Sequence, residues 1–145
     1  MTEDTDVALL RALAEVSEAF LQLAIELRKV EGAVAVVHPC TIRPEHLVDN
    51  GHFEVGHGNG LRVEWYTDAE FNDDRAISFR QDLSWHSGRW RVEASVQAVD
   101  PAGEHTVKEL PPQEVAATQP AIDTLRSTLR ELLSGREELL RRFVP

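Results

Sequence analysis

The sequence predicts an α+β fold: a long N-terminal helix, an antiparallel β-meander of about four to six strands and a C-terminal helix, with both helices packed on one face of the sheet. Three observations carry it. First, apolar and polar residues alternate from His52 to Val99. In the clearest stretch Ile77, Phe79, Gln81, Leu83 and Trp85 interleave with Ser78, Arg80, Asp82 and Ser84. A period of two with one apolar face marks antiparallel strands covered on one side only. Second, apolar residues recur at helical spacing on either side of that stretch. Third, turn dipeptides punctuate it.

Helix one is expected from about Thr5 to Val30, with Thr5 or Asp6 as cap and acids in its first turn. Leu13, Val16, Phe20, Leu23, Leu27 and Val30 form its stripe, widened by Leu9, Leu10, Ala24 and Ile25. This stripe reads as a core face, and its 3.5-residue spacing also permits a dimer seam. Ala33–Val37 reads as a short strand and residues 38–51 as a connector, with room for a helical turn at Pro44–Val48. His52–Gly56 should pair with Leu61–Thr67 through His57-Gly58-Asn59-Gly60. An acidic loop, Asp68–Arg75, leads to strand Ala76–His86, and Ser87-Gly88 turns into strand Arg89–Val99. After the turn at 100–104, His105–Leu110 reads as an edge strand that Pro111-Pro112 closes. Thr118 should cap a helix carrying Pro120 in its first turn, with Ile122, Leu125, Leu129 and Leu132 or Leu133 facing the core. Ser134-Gly135 breaks it before a last helical piece, Arg136–Phe143.

A chain of 145 residues fits a single domain spanning 1–145. Its net charge of -10 favours solubility and repels a phosphate backbone, so no nucleic-acid partner is expected and a basic protein partner is. The acid excess sits in residues 1–110, whereas 111–145 is balanced. A lone cysteine, Cys40, excludes an internal disulfide, and the acidic start lacks the basic, apolar character of a secretory signal. No apolar run approaches the ~20 residues of a membrane span. These features together predict a cytoplasmic protein that binds no membrane.

Two surfaces stand out as candidate partner sites. The loops at one end of the meander should gather an acidic edge of Asp68, Glu70, Asp73, Asp74, Asp100 and Glu104. Such an edge can dock a basic partner and speed its encounter. The open sheet face should present Arg62, Tyr66, Arg80, His86, Arg89 and Arg91, interleaved with Glu54, Glu64, Asp82 and Glu93. Guanidinium forks suit carboxylates and phosphates, while cross-strand ion pairs explain the same pattern without a ligand.

No catalytic motif is present. His38 and Cys40 are separated by Pro39, with no third group to orient them. Six histidines occur without a zinc spacing, and Asp68–Asp74 lacks the spaced acids and glycine of a calcium loop. The glycine-rich turn at 57–60 precedes a strand rather than a helix, so it is no phosphate loop. No cofactor or metal is expected.

The function that follows is a non-enzymatic protein-interaction module, either an immunity-type inhibitor or a small chaperone. In size, acidity and flanking helices the chain resembles secretion-chaperone-type α+β proteins, though without their mid-sheet helix. That resemblance is compositional and assigns no residue a role. Two alternatives are a small-ligand domain with a cavity lined by Trp65, Trp85 and Trp90, and, ranked below it, an enzyme using His86 with Asp82 and Arg89. A homodimer through helix one, or through the exposed edges Ala33–Val37 or His105–Leu110, is compatible with the pattern.

Overall fold

A computed structural model describes residues 5–28, 34–38, 61–71 and 74–143, with Asp6, residues 34–38, Leu61, His86, Arg142 and Phe143 described by backbone alone. The element order is α1 (Thr5–Arg28), β1 (Val34–His38), β2 (Leu61–Phe71), β3 (Ala76–His86), β4 (Arg89–Asp100), β5 (Gly103–Val115), α2 (Thr118–Leu133) and α3 (Arg136–Phe143). The five strands form one antiparallel sheet in the order β1-β2-β3-β4-β5. The fold is α+β, with both long helices on one face. None of the described helices is long and apolar enough to cross a membrane.

The alternation places the core. Val63, Trp65, Thr67, Ala69 and Phe71 of β2 point inward with Ile77, Phe79, Gln81 and Leu83 of β3 and Trp90, Val92, Ala94, Val96 and Ala98 of β4. Leu9, Val16, Phe20, Leu23 and Leu27 of α1, and Ile122, Leu125 and Leu132 of α2, close over them. Trp85 is only half-buried, with its ring 5.0 Å from that of Trp90.

Apolar burial holds the layers together without fixing how each helix sits. Four inner-face polar groups do that, because a buried donor must find an acceptor. Trp65 Nε1 donates to Ser17 Oγ at 2.8 Å, and Ser17 Oγ donates to the Leu13 carbonyl at 3.0 Å. Thr67 Oγ1 donates to the Phe20 carbonyl at 3.3 Å. Gln81 Nε2 donates to the Leu125 carbonyl at 3.0 Å, and Trp90 Nε1 to Thr118 Oγ1 at 3.3 Å. Two bonds therefore set α1 and two set α2. At the surface Arg126 forks onto Glu15 at 2.8 and 3.0 Å, and Arg136 onto Glu26 at 2.8 and 3.2 Å. Lys108 of β5 donates to the carbonyls of Glu131 and Ser134, capping the negative end of α2.

Several boundaries differ from the sequence expectation. Asp68–Phe71 is not loop but the end of β2, because Thr67, Ala69 and Phe71 keep the inward alternation while Asp68 and Glu70 take the outer side. Composition suggested a loop, but parity decides. β1 joins the sheet at that same end, pairing His38 with Asp68 and Val34 with Phe71. Pro111-Pro112 does not close the sheet: β5 runs on to Val115. The register with β4 steps from Val92↔Gln113 to Ala94↔Leu110, so the prolines occupy a bulge where no ladder N–H is required. The N-cap of α2 is Ala117 rather than Thr118, whose hydroxyl is taken by Trp90. Leu10 and Ile25 do not widen the core stripe of α1 but lie exposed. Ser87 (φ 52) and Gly88 (φ 78) make the expected tight hairpin, and Gly135 (φ 76) ends α2. The connector at 39–60, with the proposed His52–Gly56 strand and its hairpin, lies outside the described residues.

Candidate functional site

With both helices on one side, the other face of the sheet is the open surface, and the register sets its rows. Arg62, Ser84, Arg91 and Glu114 form the first across β2 to β5. Glu64, Asp82 and Glu93 form the second, then Tyr66, Arg80, Ser95 and Glu109. Asp68, Ser78, Gln97 and Thr106 follow, and Glu70, Ala76, Val99 and Glu104 end the face. Carboxylates outnumber guanidiniums across these rows.

Part of that charge is internally matched. Arg91 reaches Glu93 at 3.1 Å and Glu114 at 3.2 Å, and Arg89 approaches Glu114 at 3.7 Å. Arg62 lies 3.5 Å from Asp82 and 3.8 Å from Glu64. These exposed pairs are each worth well under ~1 kcal/mol. Asp68 Oδ1 and Asp82 Oδ1 are both buried from solvent, and among the described residues neither accepts a hydrogen bond of good geometry. Arg62, at 3.5 Å from Asp82 Oδ1, offsets part of that carboxylate's charge.

Burial pushes the Asp82 carboxyl above its ordinary range, the nearby Arg62 opposes this, and the flanking Glu64 and Glu93 reinforce it. For a carboxyl raised on folding, the native state binds its proton more tightly than the unfolded chain. Stability is therefore lost as pH rises through the native pKa. Asp82→Asn should raise the melting temperature at pH 7 by a few degrees, the scale of a ~1 kcal/mol gain. Melting curves of both proteins should converge near pH 3, where Asp82 is protonated in each state. An equal gain at both pH values would mean that charge is not the cause.

The bulge in β5 hollows this face. One concavity of about 210 Å3 is lined by Arg80, Asp82, Glu93, Ser95, Gln97 and Glu109, closed at one side by Pro112. A second, of about 180 Å3, is lined by Asp68, Glu70, Ser78, Arg80, Gln97 and Glu104. Arg80 and Gln97 belong to both, so Arg80 is the cation that the two groups of lining acids share. Its Nε donates to Ser78 Oγ at 3.2 Å, which holds it along the sheet.

The acidic edge expected from sequence is only partly a unit. Asp68, Glu70 and Glu104 meet around the second hollow. Asp74 sits beside Glu70 on the rim. Asp100 instead serves its own turn, accepting from the Ala102 N–H at 2.8 Å and lying 3.3 Å from His105 Nε2. Asp73 is outside the described residues. On the open face Arg62, Tyr66, Arg80, Arg89 and Arg91 are present as expected, while His86 is placed by backbone alone. Glu109 and Glu114 are contributors that sequence reading missed. The β5 bulges shift parity, so their side could not be counted from the alternation.

Trp65 and Trp90 are fully buried, with their indole N–H groups bonded to the helices. Their polar atoms face structure rather than a ligand. Among the described residues no group of three His, Cys, Asp or Glu is placed to hold a metal ion. Compared with protein-family models, curated proteins and solved structures, the chain matches none.

Proposed function

We propose that this protein is a non-enzymatic interaction module whose open sheet face receives a basic surface of a partner protein. The observation that carries this reading is the pair of acid-lined hollows on that face, with Asp82, Glu93 and Glu109 around one and Asp68, Glu70 and Glu104 around the other. Asp68 and Asp82 are half-buried in these hollows, where a lysine or arginine side chain from a partner would form a charge-assisted bond partly shielded from water. The excess of acids around the two hollows adds long-range attraction, which raises the association rate. Hollows of this size fit single side chains rather than a large ligand. An immunity-type inhibitor and a chaperone both need such a surface, and the partner's identity separates them.

The experiment is capture of a partner by tagged protein from host lysate, followed by binding of the purified pair. Wild type should form a stoichiometric complex that weakens as salt rises. Asp68→Asn with Asp82→Asn should weaken it at least tenfold, since each removes a charge-assisted acceptor. Glu70→Gln with Glu104→Gln should act mainly on the association rate. A complex indifferent to both salt and the Asp pair would place the interface elsewhere and end this reading.

A further inference from the structure

Helix α1 has a second apolar face that the fold does not use. Val7, Leu10, Leu21 and Ile25 are 42%, 52%, 48% and 40% exposed, and Ala14 between them is exposed as well. Among the described residues, the remaining exposed large apolar side chain is Val99, on the sheet. At 100° per residue these five positions fall on one side of α1, well off the core stripe of Leu9, Val16, Phe20, Leu23 and Leu27. The flank toward α2 is the other one, engaged through Glu15–Arg126 and Glu26–Arg136. Steps of three, four, seven and four residues match the 3.5 spacing of a helix seam.

We propose that a second copy of this chain docks here, α1 against α1, antiparallel about a two-fold axis near residue 16. The spacing is what selects this occupant. Reversing the helix about that point lays Val7 on the partner subunit's Ile25 and Leu10 on the partner subunit's Leu21. Ala14 then lies close to the axis, where its small side chain lets the backbones approach. An isologous contact requires this self-matching, and a stripe shaped for an unrelated partner does not. Charge agrees. Arg11 and Glu18 border the stripe on one side, so the same reversal brings Arg11 within about one helical turn of the partner subunit's Glu18, twice over. On a chain of net charge -10, this nearly neutral stripe lets two copies meet without strong repulsion. The open sheet face points away from α1 and stays free in the dimer.

One helix stripe is smaller than the ~800 Å2 per partner of a standard interface, so the dimer is weak, with a Kd on the order of 10 µM. Sedimentation of the full chain from 1 to 300 µM (roughly a decade either side of that Kd) should show a monomer–dimer equilibrium. Leu10→Glu and Leu21→Glu should each leave a monomer throughout, with near-wild-type melting because both sites are exposed. In a Cys40→Ser background, Ala14→Cys should cross-link under mild oxidation. Leu10→Cys should not, because reversal sets the two copies of that position roughly 17 Å apart along the axis. A chain that stays monomeric, a dimer that survives Leu10→Glu, or equal cross-linking at both positions overturns the proposal. The monomeric result is also the one expected if another protein, or residues 29–60 of the same chain, covers the stripe.

Discussion

Trp65→Ala is expected to destabilise the fold by about 3–5 kcal/mol, the usual cost of truncating a large buried aromatic. In a chain of this size that lowers the melting temperature by roughly 10–15 °C. Trp65 is fully buried at the centre of β2, so truncation leaves a cavity beneath α1. The loss has a second component. The indole N–H is the donor that sets Ser17, and with it the rotation of α1 over the sheet. Ser17→Ala keeps the ring but orphans that N–H, and should cost about 1–3 kcal/mol. Denaturant unfolding of wild type and both variants measures this. A Ser17→Ala protein as stable as wild type would show that packing alone positions α1.

Gln81→Glu should be as damaging at neutral pH and almost silent in acid. Gln81 is fully buried, and its Nε2 bonds the Leu125 carbonyl while its Oε1 accepts nothing. Among the described residues, the core holds no cation for an ionised carboxylate there. Its native pKa must rise by about three units or more, each worth 1.36 kcal/mol, for a loss of about 4 kcal/mol at pH 7. The native state holds the proton more tightly, so stability is full below about pH 4 and falls as pH rises. Gln81→Leu removes the unmatched oxygen together with the donor, and its cost should be under ~1 kcal/mol. Urea titrations from pH 4 to 8 separate the two. A Glu variant with pH-independent stability would mean that water or a rearranged side chain reaches this position.

Gln81 also shows what the sequence made legible. It falls in an apolar row of β3, and its parity alone places it on the covered face, where α2 lies over it. The same counting locates Trp65, Phe79 and Trp90 in the core and puts Arg62, Arg80 and Arg91 on the open side. Parity fails where the chain adds a residue. The slips opposite Val92–Ala94 and Val96–Gln97 decide which side Glu109 and Glu114 take, and they arise from pairing with β4. Asp68 and Glu70 were legible as acids but not as strand residues, because loop-like composition masked their alternation. The second stripe of α1 was visible as apolar positions. Only packing separates Leu10 and Ile25 from the core stripe beside them.

The bulge at Pro111-Pro112 also bears on how the molecule behaves when crowded. Among the described strands β5 is the longest and lies at an edge, the geometry on which a neighbouring chain could add and start a growing cross-β stack. Two adjacent prolines remove two N–H donors from its middle, and the register slip bends the backbone around them. An incoming strand finds an interrupted ladder rather than a continuous one. The same irregularity that hollows the open face is thus a guard against fibrous self-assembly, and straightening it would trade a recognition surface for a sticky edge.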